Sequence, residues 1–296
     1  MGQATSINST ADSPTRVTTP PTATRRFDSR RVYTAAILVP AIYAIIRYLP
    51  PWALTLLLIA GGSIALIELY RISFQARVNS VLIGIGLITS ALVLARIHTP
   101  VALADLIVVT MLALLIAMLF SSSPMEHRLK DTAITLFGVF YIGLTLSMLV
   151  STRALPAGEL FILFIALVTW TADAGAYYAG ILWGSHLLAP SVSPKKTVEG
   201  VLGGMALATG IALLAQAWFL PQLSLGDAVI LGVLLTGAGL FGDLCESVIK
   251  RSVGVKDSGG ILPGHGGMLD RLDSLLFTAP TFYYYVTLVR GISPLP

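Results

Sequence analysis

Four residues between positions 243 and 250 stand at a spacing that could do chemistry. Asp243, Glu246, Ser247 and Lys250 follow i, i+3, i+4 and i+7, one face of a helix. Asp270 and Asp273, further on, are also three apart. Carboxylates converging from two helix ends make a hard oxygen site suited to Mg²⁺ or Ca²⁺. Between the two groups runs Asp257-Ser-Gly-Gly-Ile-Leu-Pro-Gly-His-Gly-Gly267, a glycine-dense stretch. Glycines let backbone N–H groups approach phosphate oxygens and open anion-binding concavities. Lys250, Arg251, Lys256 and Arg271 flank it with positive charge. The expected chemistry is the handling of phosphate by cations and a carboxylate-bound metal.

A second stretch reads Ser193-Pro194-Lys195-Lys196-Thr197-Val198-Glu199-Gly200. Thr197 is placed to cap a following helix, whose positive end, with Lys195 and Lys196, attracts an anion. Upstream, Asp173, Tyr177, Gly180 and Gly184 recur at helical spacing. The two glycines read as helix packing, and Asp173 as an acid inside an apolar helix, where ionisable groups are costly and usually functional. Seven acids, Asp173, Glu199, Asp243, Glu246, Asp257, Asp270 and Asp273, lie in or beside these two stretches, interleaved with six Lys and Arg residues. Four histidines are scattered, and Cys245 is the single cysteine, so neither a disulfide nor a cysteine zinc site is available. Glu68 reads as a helix-end acid, Asp105 as an interhelical hydrogen bond, and Cys245 as a small packing residue.

The elements that must position these groups are membrane helices. The chain has 296 residues, 55% hydrophobic and only 11% charged, with a mean hydropathy of +0.82. Soluble domains carry about 25% charge, so too few charged residues remain to cover a water-soluble surface. Residues 1–31 are rich in Ser, Thr, Pro and Ala and read as a disordered cytosolic tail. Nine apolar segments follow, near 32–49, 52–70, 78–95, 101–120, 132–150, 159–183, 198–220, 226–249 and 273–289. Most have the ~20 residues needed to cross a bilayer. They are continuously apolar, which excludes a β-barrel. The expectation is therefore an all-α polytopic integral membrane protein with about nine transmembrane helices, divided into N-terminal helices over 32–150 and a catalytic region over 151–296.

Basic residues set the orientation. With the tail in the cytoplasm and nine crossings, fifteen of the nineteen Lys and Arg residues face inward. Arg47, Arg96, Arg153 and Arg290 face out. The loops 184–197 and 250–272 then share the cytoplasmic side, and the C-terminus lies outside.

The run Ser247-Val-Ile-Lys250-Arg251, then Lys256-Asp257-Ser258-Gly259, then Pro263-Gly-His265-Gly266-Gly267-Met-Leu-Asp270-Arg271-Leu-Asp273 resembles the signature of the phosphatidate cytidylyltransferases, or CDP-diacylglycerol synthases. Phe241-Gly242-Asp243-Leu-Cys-Glu246-Ser247 and Asp173-Ala-Gly-Ala-Tyr177, with the Ser193–Gly200 stretch, resemble the same family. The likeness covers about 170–275 in detail. Ser185-His186 stands where family members often carry a basic residue.

The resemblance implies an enzyme joining CTP and phosphatidic acid with Mg²⁺, giving CDP-diacylglycerol and pyrophosphate for phospholipid biosynthesis. The expected setting is the bacterial cytoplasmic membrane, with the site at its cytoplasmic face. It implies Asp243 and Asp270 as leading metal ligands, with Asp273, Glu246 and Asp173 as further candidates. Lys250, Arg251, Lys256 and Arg271 would hold phosphates of CTP or the lipid head, and Lys195, Lys196 and Thr197 further phosphate oxygens. His265 would orient substrate within the glycine loop, and Glu199, Ser247 and Asp257 fall in the same substrate-binding set. A homodimer is implied, and nucleic acid is not an expected partner. An ion-coupled transporter would need inverted repeats, and none are visible between the two halves. The paired-aspartate motif of CDP-alcohol phosphotransferases is absent. A polyprenol kinase would differ in its released product.

Overall fold

The structure is a computed structural model that describes residues 29–74, 79–259 and 266–293, with side chains from position 39 onward. The helices follow the apolar segments. They are α1 (Ser29–Tyr48), α2 (Pro51–Phe74), α3 (Ser80–Ala95), α4 (Leu103–Leu119), α5 (Met125–Gly138), α6 (Thr145–Arg153), α7 (Gly158–Trp183), α8 (Val198–Trp218), α9 (Leu225–Ser252) and α10 (Leu269–Tyr284). A π-helical turn, Val139–Leu144, joins α5 and α6 into one run, and a second, Tyr285–Val289, extends α10.

The bundle is that of an all-α membrane protein, with three adjustments to the sequence reading. Among the described residues, six helices are long and apolar enough to cross a membrane, while Val39–Tyr48 and Leu103–Leu119 are shorter apolar stretches. A small antiparallel hairpin, β1 (Leu187–Ala189) and β2 (Ser193–Thr197), interrupts the helices between α7 and α8. Helix α1 begins at Ser29, inside the stretch read as tail, and residues 1–28 lie outside the described residues. Hydropathy also misses polar first turns. The run starting at Met125 opens Met-Glu-His-Arg-Leu-Lys-Asp, and α10 opens on Leu269-Asp270-Arg271.

Close approach of backbones holds the bundle near the future site. A Cβ on Gly204 would lie 2.6 Å from the Ala172 carbonyl, and one on Gly175 would lie 2.9 Å from Gly204 Cα. Helices α7 and α8 therefore touch without side chains between them. In the same way, a Cβ on Gly242 would press on the Asp273 carbonyl, so α9 and α10 meet backbone to backbone. In the N-terminal half, Tyr70 of α2 is fully buried, stacks on Phe74 and donates to the Thr135 carbonyl of α5 at 2.8 Å.

Charge separates by bundle end. At one end Glu159 meets Arg47 and Arg153, and Asp227 meets Arg290 and the Tyr285 hydroxyl. The hairpin and the described parts of the α9–α10 connection lie at the other end, on one side of the bundle. A Gly204→Val substitution should destabilise the protein by about 2 kcal/mol through overpacking. Thermal unfolding in detergent would read this as a lower Tm than that of the wild type.

Candidate active site

The capping residue of α8 seats one wall of the site. Thr197 has extended backbone, and its Oγ1 accepts the Gly200 N–H at 3.1 Å, as the sequence suggested. Gly180 of α7 leaves room for this cap, since a Cβ there would lie 3.3 Å from Thr197 Oγ1. The end of α7, the hairpin and the start of α8 thereby enclose a cavity of about 690 Å³ with α9 and α10. Lys195, Lys196, Asp173, Asp243, Asp270 and Asp273 all line it.

Helix α9 delivers its polar face as the spacing implied. Asp243, Glu246 and Asp273 bring carboxylate oxygens within 4.8 Å of one another. Glu246 is 1% exposed, and its Oε1 is buried without a hydrogen-bond partner. Asp243 Oδ2 receives Lys196 Nζ at 2.6 Å, and its Oδ1 accepts from Ser247 Oγ at 3.4 Å. Lys250 is buried between two helices. Its Nζ donates to Glu246 Oε2 at 2.7 Å and to Asp270 Oδ1 at 2.5 Å.

Asp270 lines the cavity yet is already held by the protein. Its Oδ2 accepts from Ser258 Oγ at 2.9 Å, Gly267 N at 3.2 Å and Ser258 N at 3.3 Å. The tight triangle is therefore Asp243, Glu246 and Asp273, with Asp270 next to Glu246 through Lys250. Asp173 faces the group from α7, within electrostatic range of Asp243, Lys196 and Arg271.

Other expected residues stand elsewhere. Glu199 accepts from Ser185 N at 3.1 Å and His186 N at 3.2 Å, and pairs with His186 Nδ1 at 2.5 Å, which clamps the turn after α7. Arg251 donates to the Val255 carbonyl at 3.0 Å. Lys256 and Asp257 are exposed, while Arg271, also exposed, stays within electrostatic range of Asp173 at the cavity. His265 and the middle of the glycine stretch, 260–265, lie outside the described residues. Two of its glycines have a reason within the protein. A Cβ on Gly267 would collide with Ser258 Oγ, and one on Gly259 would lie 2.6 Å from Glu68 Oε1.

Sequence reasoning missed two N-terminal residues that reach this region. Glu68 makes the interhelical contacts, and Asp105 is the exposed helix-end acid, so their expected roles are exchanged. Tyr141 sits on the π-helical turn, with a buried hydroxyl lacking a partner and with Asp243, Glu246 and Asp273 among its electrostatic neighbours. π-turns of this kind recur at functional sites. A continuously apolar run gave no signal for Tyr141, and Glu68 shows in its run as an acid whose distant partners leave no trace there. Cys245, read as packing, is exposed.

Fold and site together define a class: an all-α membrane protein with carboxylates and lysines gathered in a cavity at one end of its bundle. The chain belongs to the cytidylyltransferase family, whose profile matches residues 29–289. It is 37% identical over 252 residues to a phosphatidate cytidylyltransferase of Staphylococcus saprophyticus, covering 81% of this chain and 94% of that one. A Staphylococcus aureus protein of the same name is 38% identical over 255 residues, with the same coverage of each chain, and one from Staphylococcus epidermidis is 35% identical over 252 residues, again with that coverage. The chain is accordingly a nucleotidyltransferase of a membrane.

Lys250→Met should leave the buried Glu246 and the half-buried Asp270 without their cation. Breaking such a pair costs about 3–5 kcal/mol, and denaturant unfolding in detergent would measure the loss.

Proposed function

We propose that the chain transfers the cytidylyl group of CTP to phosphatidic acid, giving CDP-diacylglycerol and pyrophosphate, at the cytoplasmic face of a bacterial membrane. The observation that carries this reading is the clustering of Asp243, Glu246 and Asp273, two of which, Asp243 and Asp273, line one cavity together with Lys195, Lys196 and the Thr197 cap of α8. The names of the relatives support the substrates. The orientation rests on the distribution of basic residues, and the homodimer on the family resemblance.

The donor set fits Mg²⁺. Three carboxylates lie close together, and one buried oxygen, Glu246 Oε1, has no hydrogen bond to the protein. Hard oxygen ligands of this kind suit that cation. When bound, Mg²⁺ would supply counter-charge for the phosphoryl oxygens.

The protein's own groups account for the rest. Lys195 and Lys196, with the α8 N-terminus, would hold phosphate oxygens. Lys250, fixed by Glu246 and Asp270, would keep positive charge beside the carboxylates. A phosphate monoester has a second pKa near 6, so the lipid phosphate is largely dianionic at neutral pH and needs no strong base. Its oxygen attacks the α-phosphorus of CTP. The bond from that phosphorus to the bridging oxygen breaks, and pyrophosphate leaves with the electron pair. Positioning and charge neutralisation carry the rate. Ile181 and Leu240 give the cavity apolar wall for a substrate whose tails remain in the bilayer.

The test is detergent-purified protein with phosphatidic acid, Mg²⁺ and CTP labelled on its α-phosphorus. Label should enter the lipid fraction with release of pyrophosphate. Transfer from the γ-position instead would identify a kinase and sink the proposal. Asp273→Asn should cut transfer by about 100-fold or more, the scale on which one preorganised electrostatic contact acts. Chelation of divalent cations should stop transfer and added Mg²⁺ should restore it; turnover that survives chelation would refute the metal assignment.

A further inference from the structure

We infer that Glu68, on α2 and far from the signature in sequence, is a positioning residue for the transfer reaction: it pins Ser258 and the start of α10, on which Asp270 and Lys250 depend. This deepens the cytidylyl-transfer reading and rests on it.

Glu68 is 2% exposed. Its Oε2 accepts the Leu269 N–H at 2.9 Å and lies 3.3 Å from Ser258 Oγ, partners 201 and 190 residues away. Leu269 opens α10, and the residue before it, Met268, gives no side-chain cap. Glu68 therefore caps α10 from another helix, and the positive end of α10 favours the carboxylate. Gly259 and Gly267 keep the space that it fills, since a Cβ on either would lie within 2.6 Å and 2.9 Å of its oxygens respectively.

This arrangement is costly. Glu68 Oε1 is buried without a hydrogen-bond partner, and no cation pairs with Glu68 among the described residues. Burying a charge unpaired is unfavourable. A Ser or Asp at position 268 could cap α10 locally without that cost. A local cap could not tie Ser258 and Leu269 to one point. Ser258 Oγ also reaches Asp270 Oδ2 at 2.9 Å, and Asp270 Oδ1 takes Lys250 at 2.5 Å. The chain of contacts thus runs from α2 through Ser258 and Asp270 to Lys250 and Glu246, and the first two turns of α10 carry Asp270 and Asp273 one turn apart.

The experiment uses the full chain in detergent, with CTP, phosphatidic acid and Mg²⁺, comparing wild type with Glu68→Ala, Glu68→Gln and Glu68→Asp. Loss of residues that orient a site's primary groups costs about 10–100-fold. Per folded molecule, Glu68→Ala should lose kcat by about that factor, with the KM for CTP changed by less than about threefold. Glu68→Gln keeps an acceptor oxygen and should restore most of the rate. Wild-type kcat in Glu68→Ala, or a Gln variant as slow as the Ala variant, would overturn the proposal. Should the Ala variant fail to fold, Glu68→Asp decides. Its shorter stem cannot reach both partners, so kcat should fall about tenfold, and unchanged kcat refutes the role. Hydrogen exchange separates this inference from the reaction assignment. Glu68→Ala should speed exchange of the Ser258 and Leu269 amides, and unchanged protection there defeats the positioning role even if wild type transfers no cytidylyl group.

Discussion

One buried ammonium organises the catalytic end of this protein. Lys250 of α9 sits between Glu246, one turn away on the same helix, and Asp270 on α10. With the bare backbone at Gly242 against Asp273, it fixes the rotation of α9 about α10. That rotation is what turns Asp243 and Glu246 toward Asp273. A buried cation and its two carboxylates together contribute little net stability against an apolar replacement of all three, but their geometry is demanding. The site therefore owes its shape to an interaction that specifies arrangement more than it strengthens the fold.

The distribution of charge divides the molecule by task. At the end away from the cavity, Asp227, Glu159, Arg47, Arg153 and Arg290 satisfy one another or helix termini. The Ser224–Asp227 capping box starts α9 there, and the same aspartate receives Tyr285 and Arg290. At the cavity end, two glutamate oxygens, Glu68 Oε1 and Glu246 Oε1, remain without a partner, and the acids outnumber the lysines that face them. The charges at that far end are paired with one another, whereas the cavity retains an excess of acidic oxygens.

Local periodicity made much of this legible. The face Asp243, Glu246, Ser247 and Lys250 follows from helical spacing alone, and the Thr197 cap from one residue type before an apolar run. The apolar segments found every helix of the bundle. Length and composition still separate six long helices from shorter apolar ones, which segment counting does not do. Partners distant in sequence were not readable. Glu199 serves a turn formed by Ser185 and His186, and Glu68 meets Ser258 and Leu269 across nearly two-thirds of the chain. Neither pairing leaves a local pattern. The glycine stretch holds a second such contact. Gly259 and Gly267 have close neighbours in a glutamate and a serine of the same protein, a reason for glycine that the sequence does not display.

The distance between Glu68 and its partners also has a temporal side. Helix α2 leaves the ribosome about 190 residues before Ser258 exists. At roughly 5–20 residues per second, that interval is about 10–40 s. Throughout it, a carboxylate near the end of an otherwise apolar segment has none of the donors that later satisfy it. Biogenesis thus begins with an acid committed to a helix whose counterpart is among the last pieces made, and the N-terminal helices are assembled around an unfinished contact that only the final helix completes.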